Sequence, residues 1–379
     1  MVGLLDEIIF WGNLADSIKF DLDNPAMGLL SSGRIGVNYD FYERINDFTN
    51  EHKRDEHYES SISFNDDYED EDFEVPLPEN YYDIVDEDFK SDLGITMPVI
   101  NAIFFFLSHD CLDNEKSVNT IEENQFKEIL INGCKLSDTE FNALIEHFVI
   151  TPRGNILYPP KSYEYSDIQP WRYNRPLSYL LKPIIKIGDK FIFSARHLSA
   201  ASENYLAKFM EGAIKFDKKY KKLNKLQANR NNIKGKEFRN KVYLWLSKNP
   251  LLDVIPYEFK ITQKIADKEY GDVDVLAFDK NKKIIYSIEC KNTKQAKIIY
   301  EYYMNSKNYI DDKLPLHSNR KIWLENNLEK LSEIFKCDFT NFKVKSILIS
   351  SYQLPLNLVK NIDSIDIYSL SEIKRKNIF

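Results

Sequence analysis

Two apolar stretches separated by a short polar turn constrain the fold of this chain more than any other feature. The first is Gly271–Phe278, with the sequence Gly-Asp-Val-Asp-Val-Leu-Ala-Phe. The second is Lys283–Lys291, with the sequence Lys-Ile-Ile-Tyr-Ser-Ile-Glu-Cys-Lys. β-Branched and aromatic residues in runs of this length predict strands, and the polar turn between them predicts a β-hairpin.

The segments around this hairpin predict an α/β domain. A helix from Ile233 to Leu246 has Phe238, Val242 and Trp245 on one face, which is the pattern of an amphipathic helix packed on a core. We expect a mixed sheet flanked by helices. The other predicted elements are a strand at Asp253–Ile261, a helix at Thr293–Ile310, and strands at Val344–Ser350 and Ile362–Leu370.

The hairpin carries acidic residues at alternating positions. If Asp279 faces Lys282 across the turn, Asp272 faces Glu289 and Asp274 faces Ser287. Side chains alternate between the two faces of a strand, so three acidic residues and one lysine share one face: Asp272, Asp274, Glu289 and Lys291. The other face is predicted to be filled by Val273, Val275, Ile288 and Cys290.

Carboxylates this close repel one another unless a hard divalent cation lies between them. Mg²⁺ prefers oxygen ligands and keeps several waters. Such an ion polarises a phosphodiester and makes a bound water more acidic, and Lys291 is placed to orient that water. The alternative is purely structural ion pairing on a surface strand.

The pattern Gly271-Asp272-Val273-Asp274 followed by Ile288-Glu289-Cys290-Lys291 resembles the PD-(D/E)xK nuclease superfamily, in its restriction-endonuclease-like and Holliday-junction-resolvase-like branches. The resemblance covers about residues 233–379, and Val273 stands where the superfamily's name has Pro. It implies Mg²⁺ as cofactor, for which Mn²⁺ can substitute. The implied metal ligands are Asp274, Glu289 and the Cys290 carbonyl, with Asp272 a further candidate; the implied catalytic residues add Lys291 and Glu237 on the preceding helix.

Charge divides the chain into two unlike parts. Residues 1–150 have a net charge of −25 and residues 151–379 of +17. We expect an acidic, largely helical α+β N-terminal domain at 1–205, a basic helical linker at 206–232, and the restriction-endonuclease-like domain at 233–379. The N-terminal domain is expected to regulate the nuclease, recognise a feature of the substrate or bind a partner. Basic residues beside the chemistry are expected to bind phosphates; they are Lys234, Lys236, Lys294 and Lys297.

Within the predicted N-terminal domain, residues 51–90 hold 16 acidic and 3 basic residues and are expected to form a solvated insertion. A nucleic-acid mimic is the alternative. Helices are predicted between residues 94 and 148, one of them behind a capping box at Ser137–Glu140. They fit a winged-helix-like reader or a plain helical packing unit, and the acidic charge favours the latter. Residues 184–193 predict a hairpin around Gly188-Asp189.

These features predict a cytoplasmic, metal-dependent DNA endonuclease without a membrane segment, with prokaryotic restriction or anti-phage defence as its context. No GxxxxGK[ST] motif is present, so an ATP-driven step would belong to a partner protein. A homodimer is also considered. The main alternative is a catalytically silent subunit that binds DNA or a partner. A structure-selective resolvase and RNA cleavage are two further ones.

Overall fold

The computed structural model describes residues 2–22, 25–38, 47, 50, 78–155, 157–161, 163–172, 175–214, 216–262, 266, 270–294, 296, 298–354, 356 and 365–379. The chain divides into two compact units. The first, the C-terminal unit, combines Met1–Val75 with Lys234–Phe379, and the second, the middle unit, is Pro76–Ile233. Residues 1–75 therefore group with the predicted nuclease domain, although charge alone had placed them with residues 76–205.

The elements from the N-terminus to the end of the middle unit are α1 (Val2–Lys19), β1 (Met27–Leu29), β2 (Ile35–Val37), α2 (Tyr81–Leu93), α3 (Met97–Asp113), β3 (Asn119–Glu122), α4 (Glu123–Cys134), α5 (Asp138–Phe148), β4 (Val149–Ile150), β5 (Ile184–Ile187), β6 (Lys190–Phe193) and α6 (Ala195–Met210). Helix α7 (Lys221–Ser247) then spans the division between the units.

The remaining elements belong to the C-terminal unit: β7 (Leu252–Val254), β8 (Phe259–Ile261), β9 (Gly271–Val273), β10 (Val275–Asp279), β11 (Ile284–Lys291), α8 (Ile299–Asn308), a π-helical turn (Tyr309–Lys313), α9 (Leu314–Asn326), α10 (Leu328–Phe335), β12 (Lys343–Ser350), β13 (Asp366–Ser369) and α11 (Leu370–Lys376). The predicted helix at Thr293–Ile310 begins later, at Ile299, and part of the strand predicted at Ile362–Leu370 lies outside the described residues.

A mixed five-stranded sheet forms the core of the C-terminal unit, in the order β13-β12-β11-β10-β7. Strands β11, β12 and β13 are parallel, while β10 runs antiparallel to both neighbours. One face packs on residues of α7 and α11, including Val242 and Ile373, and the other packs on α9 and α10, including Trp323 and Leu331. The predicted mixed sheet flanked by helices is confirmed.

The pairing of β10 with β11 differs from the predicted register by two residues. Asp279 lies opposite Ile284 rather than Lys282, because residues 280–283 form the loop between the strands. The Asp279 carboxylate accepts a hydrogen bond of 2.7 Å from the Lys282 amide, and Lys283 has a φ of 55°. A shift by two residues keeps every side chain on its predicted face, and it brings Asp274 level with Glu289.

The strand predicted at Asp253–Ile261 is two strands, β7 and β8, separated around Pro256, which has no N–H to donate to a sheet. Strand β8 pairs with β9 in a small sheet apart from the main one. The chain thus changes sheet at Asp274. As a result Val273 and Val275 pack in different clusters, which corrects the expectation that both fill one face.

The middle unit packs α2–α6 around a four-stranded sheet in the order β3-β6-β5-β4. Its core is aromatic, and Phe126 stacks on Phe191 with ring centroids 4.2 Å apart. The capping box of Ser137 with Glu140 and the hairpin at residues 184–193 are confirmed. Among the described residues no single helix is long and apolar enough to cross a membrane; only α2 and α3 taken together, bent by 78°, pass that test.

The middle unit also has the order of a winged-helix domain: helix α3, strand β3, helices α4 and α5, then the β5–β6 hairpin, with β6 between β3 and β5. In related helix-turn-helix folds the helix at the position of α5 reads the DNA groove. Here α5 exposes Asp138 and Glu146. They form salt bridges with Lys127 and Lys219, and α5 itself has no lysine or arginine, so its composition agrees with a packing unit rather than a nucleic-acid reader.

Two predicted boundaries change because apolar stripes lie within charged runs. Most of the predicted acidic insertion, residues 51–77, lies outside the described residues, but its end forms α2 and buries Tyr81, Val85 and Phe89. The predicted linker at 206–232 contains the end of α6 and the start of α7, whose Leu223 and Leu226 belong to the core of the middle unit. In both segments the apolar residues recur at spacings of three and four, which indicates a helix, but the high net charge had favoured a loop or a linker.

Candidate active site

The break between β9 and β10 positions the carboxylate of Asp274. Its Oδ2 accepts a hydrogen bond of 2.7 Å from the backbone N–H of Cys290 on β11. Its backbone carbonyl accepts one of 2.9 Å from Nε of Arg239 on α7. Asp274 is therefore held from both sides, by the neighbouring strand and by the helix that packs on the sheet.

Glu289 lies beside Asp274 near the end of β11, with only 9% of its surface exposed. Its carboxylate forms a salt bridge with the guanidinium of Arg320 on α9. Arg320 also donates a hydrogen bond to the backbone carbonyl of Asp272. Helix α9 covers this side of the strand and shields Glu289 from solvent.

Burial raises the proton affinity of both carboxylates. Desolvation, reinforced by the negative charge of Glu289, raises the pKa of Asp274 to about 7, although the Cys290 amide and Arg320 oppose this. Desolvation also raises the pKa of Glu289, against the lowering by Arg320, Lys313 and Lys291. Arg320 forms a salt bridge with Glu289, and for both carboxyls burial outweighs the nearby positive charge.

Lys291 and Cys290 complete the predicted group on β11. The ammonium of Lys291 is close enough to Glu289 to lower the pKa of that carboxyl, and its side chain is half-buried. Cys290 lies with its side chain against the α7 face of the sheet, and burial raises the pKa of its thiol. The structure thus brings together Asp274, Glu289, Lys291 and the backbone of Cys290.

The side chains of Asp272 and Glu237 are engaged elsewhere. Asp272 is half-exposed and its carboxylate lies 3.8 Å from the ammonium of Lys260 on β8. Glu237 forms a salt bridge of 2.7 Å with Lys234, one turn earlier on α7. The α7 residue that forms a hydrogen bond with Asp274 is Arg239, two residues after Glu237.

The predicted phosphate-binding lysines have different surroundings. Lys234 is paired with Glu237, whereas Lys236 is exposed on α7. Lys294 is exposed, and its carbonyl accepts a hydrogen bond from Asn305. Lys297 lies outside the described residues.

Three residues at this site escaped the sequence analysis: Arg239, His317 and Arg320. The last two lie on one face of α9 with Leu324, at spacings of three and four residues. This stripe of basic and apolar residues signals a buried basic face, but it has no distinctive motif. His317 Nδ1 and the Tyr309 hydroxyl share a hydrogen bond of 2.9 Å. Burial together with the charge of Arg320 lowers the pKa of His317 to about 4.

The donors available here are of the kind that Mg²⁺ takes, two carboxylates and a backbone carbonyl, with waters to complete its shell. No group of three or more His, Cys, Asp or Glu side chains suited to a metal ion exists among the residues that the structure describes. A cation at this site would thus rest on two side chains, Asp274 and Glu289. The desolvation of both carboxylates fits a divalent cation that would neutralise them, and the salt bridge from Arg320 competes with it.

Among models of known protein families, the one described as "Anti-phage protein Upx-like" matches residues 4–372, nearly the whole chain. No curated protein and no solved structure matches significantly.

Proposed function

The chain belongs to the Upx-like anti-phage protein family, and on that premise we propose that it is a metal-dependent endonuclease of the PD-(D/E)xK type that cuts DNA in phage defence. The observation that carries the proposal is the pair of buried carboxylates, Asp274 and Glu289, at a break in the sheet, with Lys291 two residues further along β11. An ion pair between Arg320 and Glu289 does not account for Asp274, a second buried carboxyl whose pKa is raised to about 7.

In this proposal each residue has a separate task. Asp274 and Glu289 would hold Mg²⁺ together with the Cys290 carbonyl, and Mn²⁺ would substitute. When bound, the ion would polarise the phosphodiester and stabilise the departing oxygen. The ammonium of Lys291 donates hydrogen bonds to the attacking water and to a phosphate oxygen. The Cys290 amide and Arg239 fix the orientation of Asp274.

DNA is the proposed substrate because the positive charge of the chain is concentrated in residues 151–379. Lys291 and Lys313 lie close enough to Glu289 to lower its pKa, and they are suited to phosphates. RNA is the less favoured substrate. We also propose a partner protein that supplies recognition or ATP hydrolysis, and a homodimer. A cytoplasmic location is part of the proposal because defence acts on DNA that has entered the cell.

The test is a cleavage assay with the purified full-length protein on plasmid, linear, single-stranded and branched DNA, and on RNA. Each substrate is incubated with Mg²⁺, Mn²⁺ or EDTA. The key variant is Asp274→Asn, whose amide keeps an acceptor for the Cys290 N–H but loses the charge. We expect metal-dependent cutting that falls by more than about a hundredfold in this variant.

The matched control is Asp253→Asn. Asp253 lies on β7 of the same sheet, is largely exposed and pairs with Lys280 on the surface. This variant should cut like the wild type. Metal-dependent cutting that persists in Asp274→Asn would contradict the proposed site, because the activity would then belong to other residues or to a contaminant.

The salt bridge between Arg320 and Glu289 favours a second candidate, a nuclease-like subunit that binds DNA or a partner without cutting. In that case the guanidinium permanently takes the place of a metal ion. The two candidates differ in the cleavage assay. If no substrate is cut, titration of DNA against salt separates phosphate binding, which weakens steeply with salt, from docking on a protein partner.

A further inference from the structure

Arg320 is a buried cation that bridges two parts of the candidate active site. It is 5% exposed, and its guanidinium binds the Glu289 carboxylate and the backbone carbonyl of Asp272. Among the described residues its buried Nε has no hydrogen-bond partner, and leaving such a donor unpaired costs about 1–3 kcal/mol.

The rest of α9 fixes Arg320 against β11. His317, one turn earlier, contacts the backbone carbonyl of Ser287 at 3.4 Å and the Tyr309 hydroxyl at 2.9 Å. Ser287 and Glu289 lie on the same side of β11, two residues apart, as His317 and Arg320 lie on the same side of α9. Because the pKa of His317 is lowered to about 4, the imidazole is neutral, and Arg320 is the charged group that α9 directs at the carboxylates.

We propose that Arg320 is a built-in counter-ion for Glu289 that a divalent cation must displace before the site is loaded. This inference deepens the proposed function and rests on it, because it concerns the regulation of the same metal site. In the metal-free protein the guanidinium neutralises the Glu289 carboxylate. A divalent cation held by Asp274 and Glu289 would require this carboxylate to leave Arg320.

The charges at this site determine the direction of the effect. The guanidinium and the divalent cation need the same carboxylate, so each lowers the affinity of Glu289 for the other. A guanidinium that merely held the site together would have the opposite effect, because its loss would disorder the ligands. Removing Arg320 therefore tightens metal binding if it is a counter-ion, and leaves it unchanged or weakens it if it is structural.

The experiment measures Mn²⁺ binding to the full-length protein by isothermal titration calorimetry and by the electron paramagnetic resonance of free Mn²⁺. Both are done at pH 8, where protons compete least with the metal. The variants are Arg320→Gln and Arg320→Lys. Lysine keeps the charge but cannot bridge Glu289 and the Asp272 carbonyl with one planar fork. Arg196→Gln, an exposed arginine on α6, is the matched control.

We expect Kd for Mn²⁺ to fall at least about tenfold in Arg320→Gln and in the same direction in Arg320→Lys, since close charge pairs couple by more than the free energy of a tenfold change. Arg196→Gln should bind like the wild type. If Arg320→Gln does not fold, which circular dichroism shows, Arg320→Lys decides the question.

Each other outcome contradicts the inference in a distinguishable way. If Mn²⁺ binds the wild type and the Arg320 variants with equal Kd, or the variants more weakly, Arg320 is not a counter-ion but the metal site survives. If no protein binds Mn²⁺, the metal site fails and the inference fails with it.

Discussion

The pKa of the Asp274 carboxyl is raised to about 7. This raised pKa most clearly distinguishes the site from a surface ion pair. The cause is burial beside Glu289, at the position where the chain passes from one sheet to the other. A carboxylate in this environment is destabilised by its own charge. A divalent cation would remove that destabilisation.

This raised pKa predicts a dependence of stability on pH. The native protein keeps a proton on Asp274 up to about pH 7, whereas the unfolded chain releases it near pH 4. Between these values the native state binds more protons, so its free energy of unfolding falls as pH rises. In Asp274→Asn this contribution is absent.

The measurement is urea unfolding of both proteins from pH 4 to pH 8 without metal. We expect the stability of the wild type relative to Asp274→Asn to fall by up to about 1.4 kcal/mol per pH unit between pH 4 and 7, and to level off above pH 7. Saturating Mg²⁺ at pH 8 should restore stability to the wild type and much less to the variant. A pH-independent difference between the two proteins would contradict the burial of this carboxylate.

At the residue scale the sequence predicted the site through Asp274, Glu289 and Lys291, because alternation along two strands is a local property. The shift of two residues in the register left that alternation unchanged. Arg320 could not be predicted, since it reaches Glu289 from a helix 31 positions away in the chain. Asp272 was a candidate by alternation along the strand and Glu237 by the family resemblance. The pairing of Asp272 with Lys260 depends on a strand contact that is not local in sequence, whereas that of Glu237 with Lys234 follows from their i, i+3 spacing on the helix.

At the scale of elements, the packing of α7 against the end of α6 is defined by one glycine. Gly212 has a φ of 65°, and a Cβ at this position would lie 2.8 Å from the backbone nitrogen of Asn231 and 2.9 Å from the carbonyl of Gln227. Backbone atoms cannot move aside as side chains do. The approach of the two segments therefore requires glycine here.

Gly212→Ala should lower the free energy of unfolding of the middle unit by about 3 kcal/mol, from the left-handed backbone and the backbone clash together. Two other glycines separate these causes. Gly188 also has a positive φ but nothing within 4 Å, so Gly188→Ala should cost only about 1 kcal/mol. Gly154 has neither, so Gly154→Ala should be neutral within about 0.5 kcal/mol.

Thermal and urea unfolding of the three variants measure these differences. If Gly212→Ala costs no more than Gly188→Ala, the close packing of α6 and α7 is not as the structure has it.

The elements that the sequence predicted well are those with strong local signals: the capping box at Ser137, the hairpin at residues 184–193 and the strands β10, β11 and β12. Those that it missed have signals diluted by charge. Helix α2 buries four residues within a segment dominated by acids, and α7 buries leucines among lysines. A net charge counted over a long segment does not show the apolar residues within it, whereas a helix brings those residues together on one face.

At the scale of the whole molecule, the N-terminal residues join the unit that holds the candidate site. Phe20, just after α1, stacks on Tyr303 of α8 with ring centroids 4.2 Å apart, and Leu22 packs on Ile299. This grouping joins the two ends of the chain, and no local pattern predicts it, because the contacts are formed between residues about 280 positions apart. The family match over residues 4–372 likewise includes both ends.

We expect the Asp274–Glu289 site to carry the anti-phage activity that the family is named for. The most direct test is the plating efficiency of phage on cells that produce the wild type, Asp274→Asn or Asp253→Asn at equal protein levels. We predict that the wild type and Asp253→Asn lower the plating efficiency equally and that Asp274→Asn restores it to that of cells without the protein. Protection by Asp274→Asn equal to that of the wild type would contradict the claim, because defence would then not need this carboxylate.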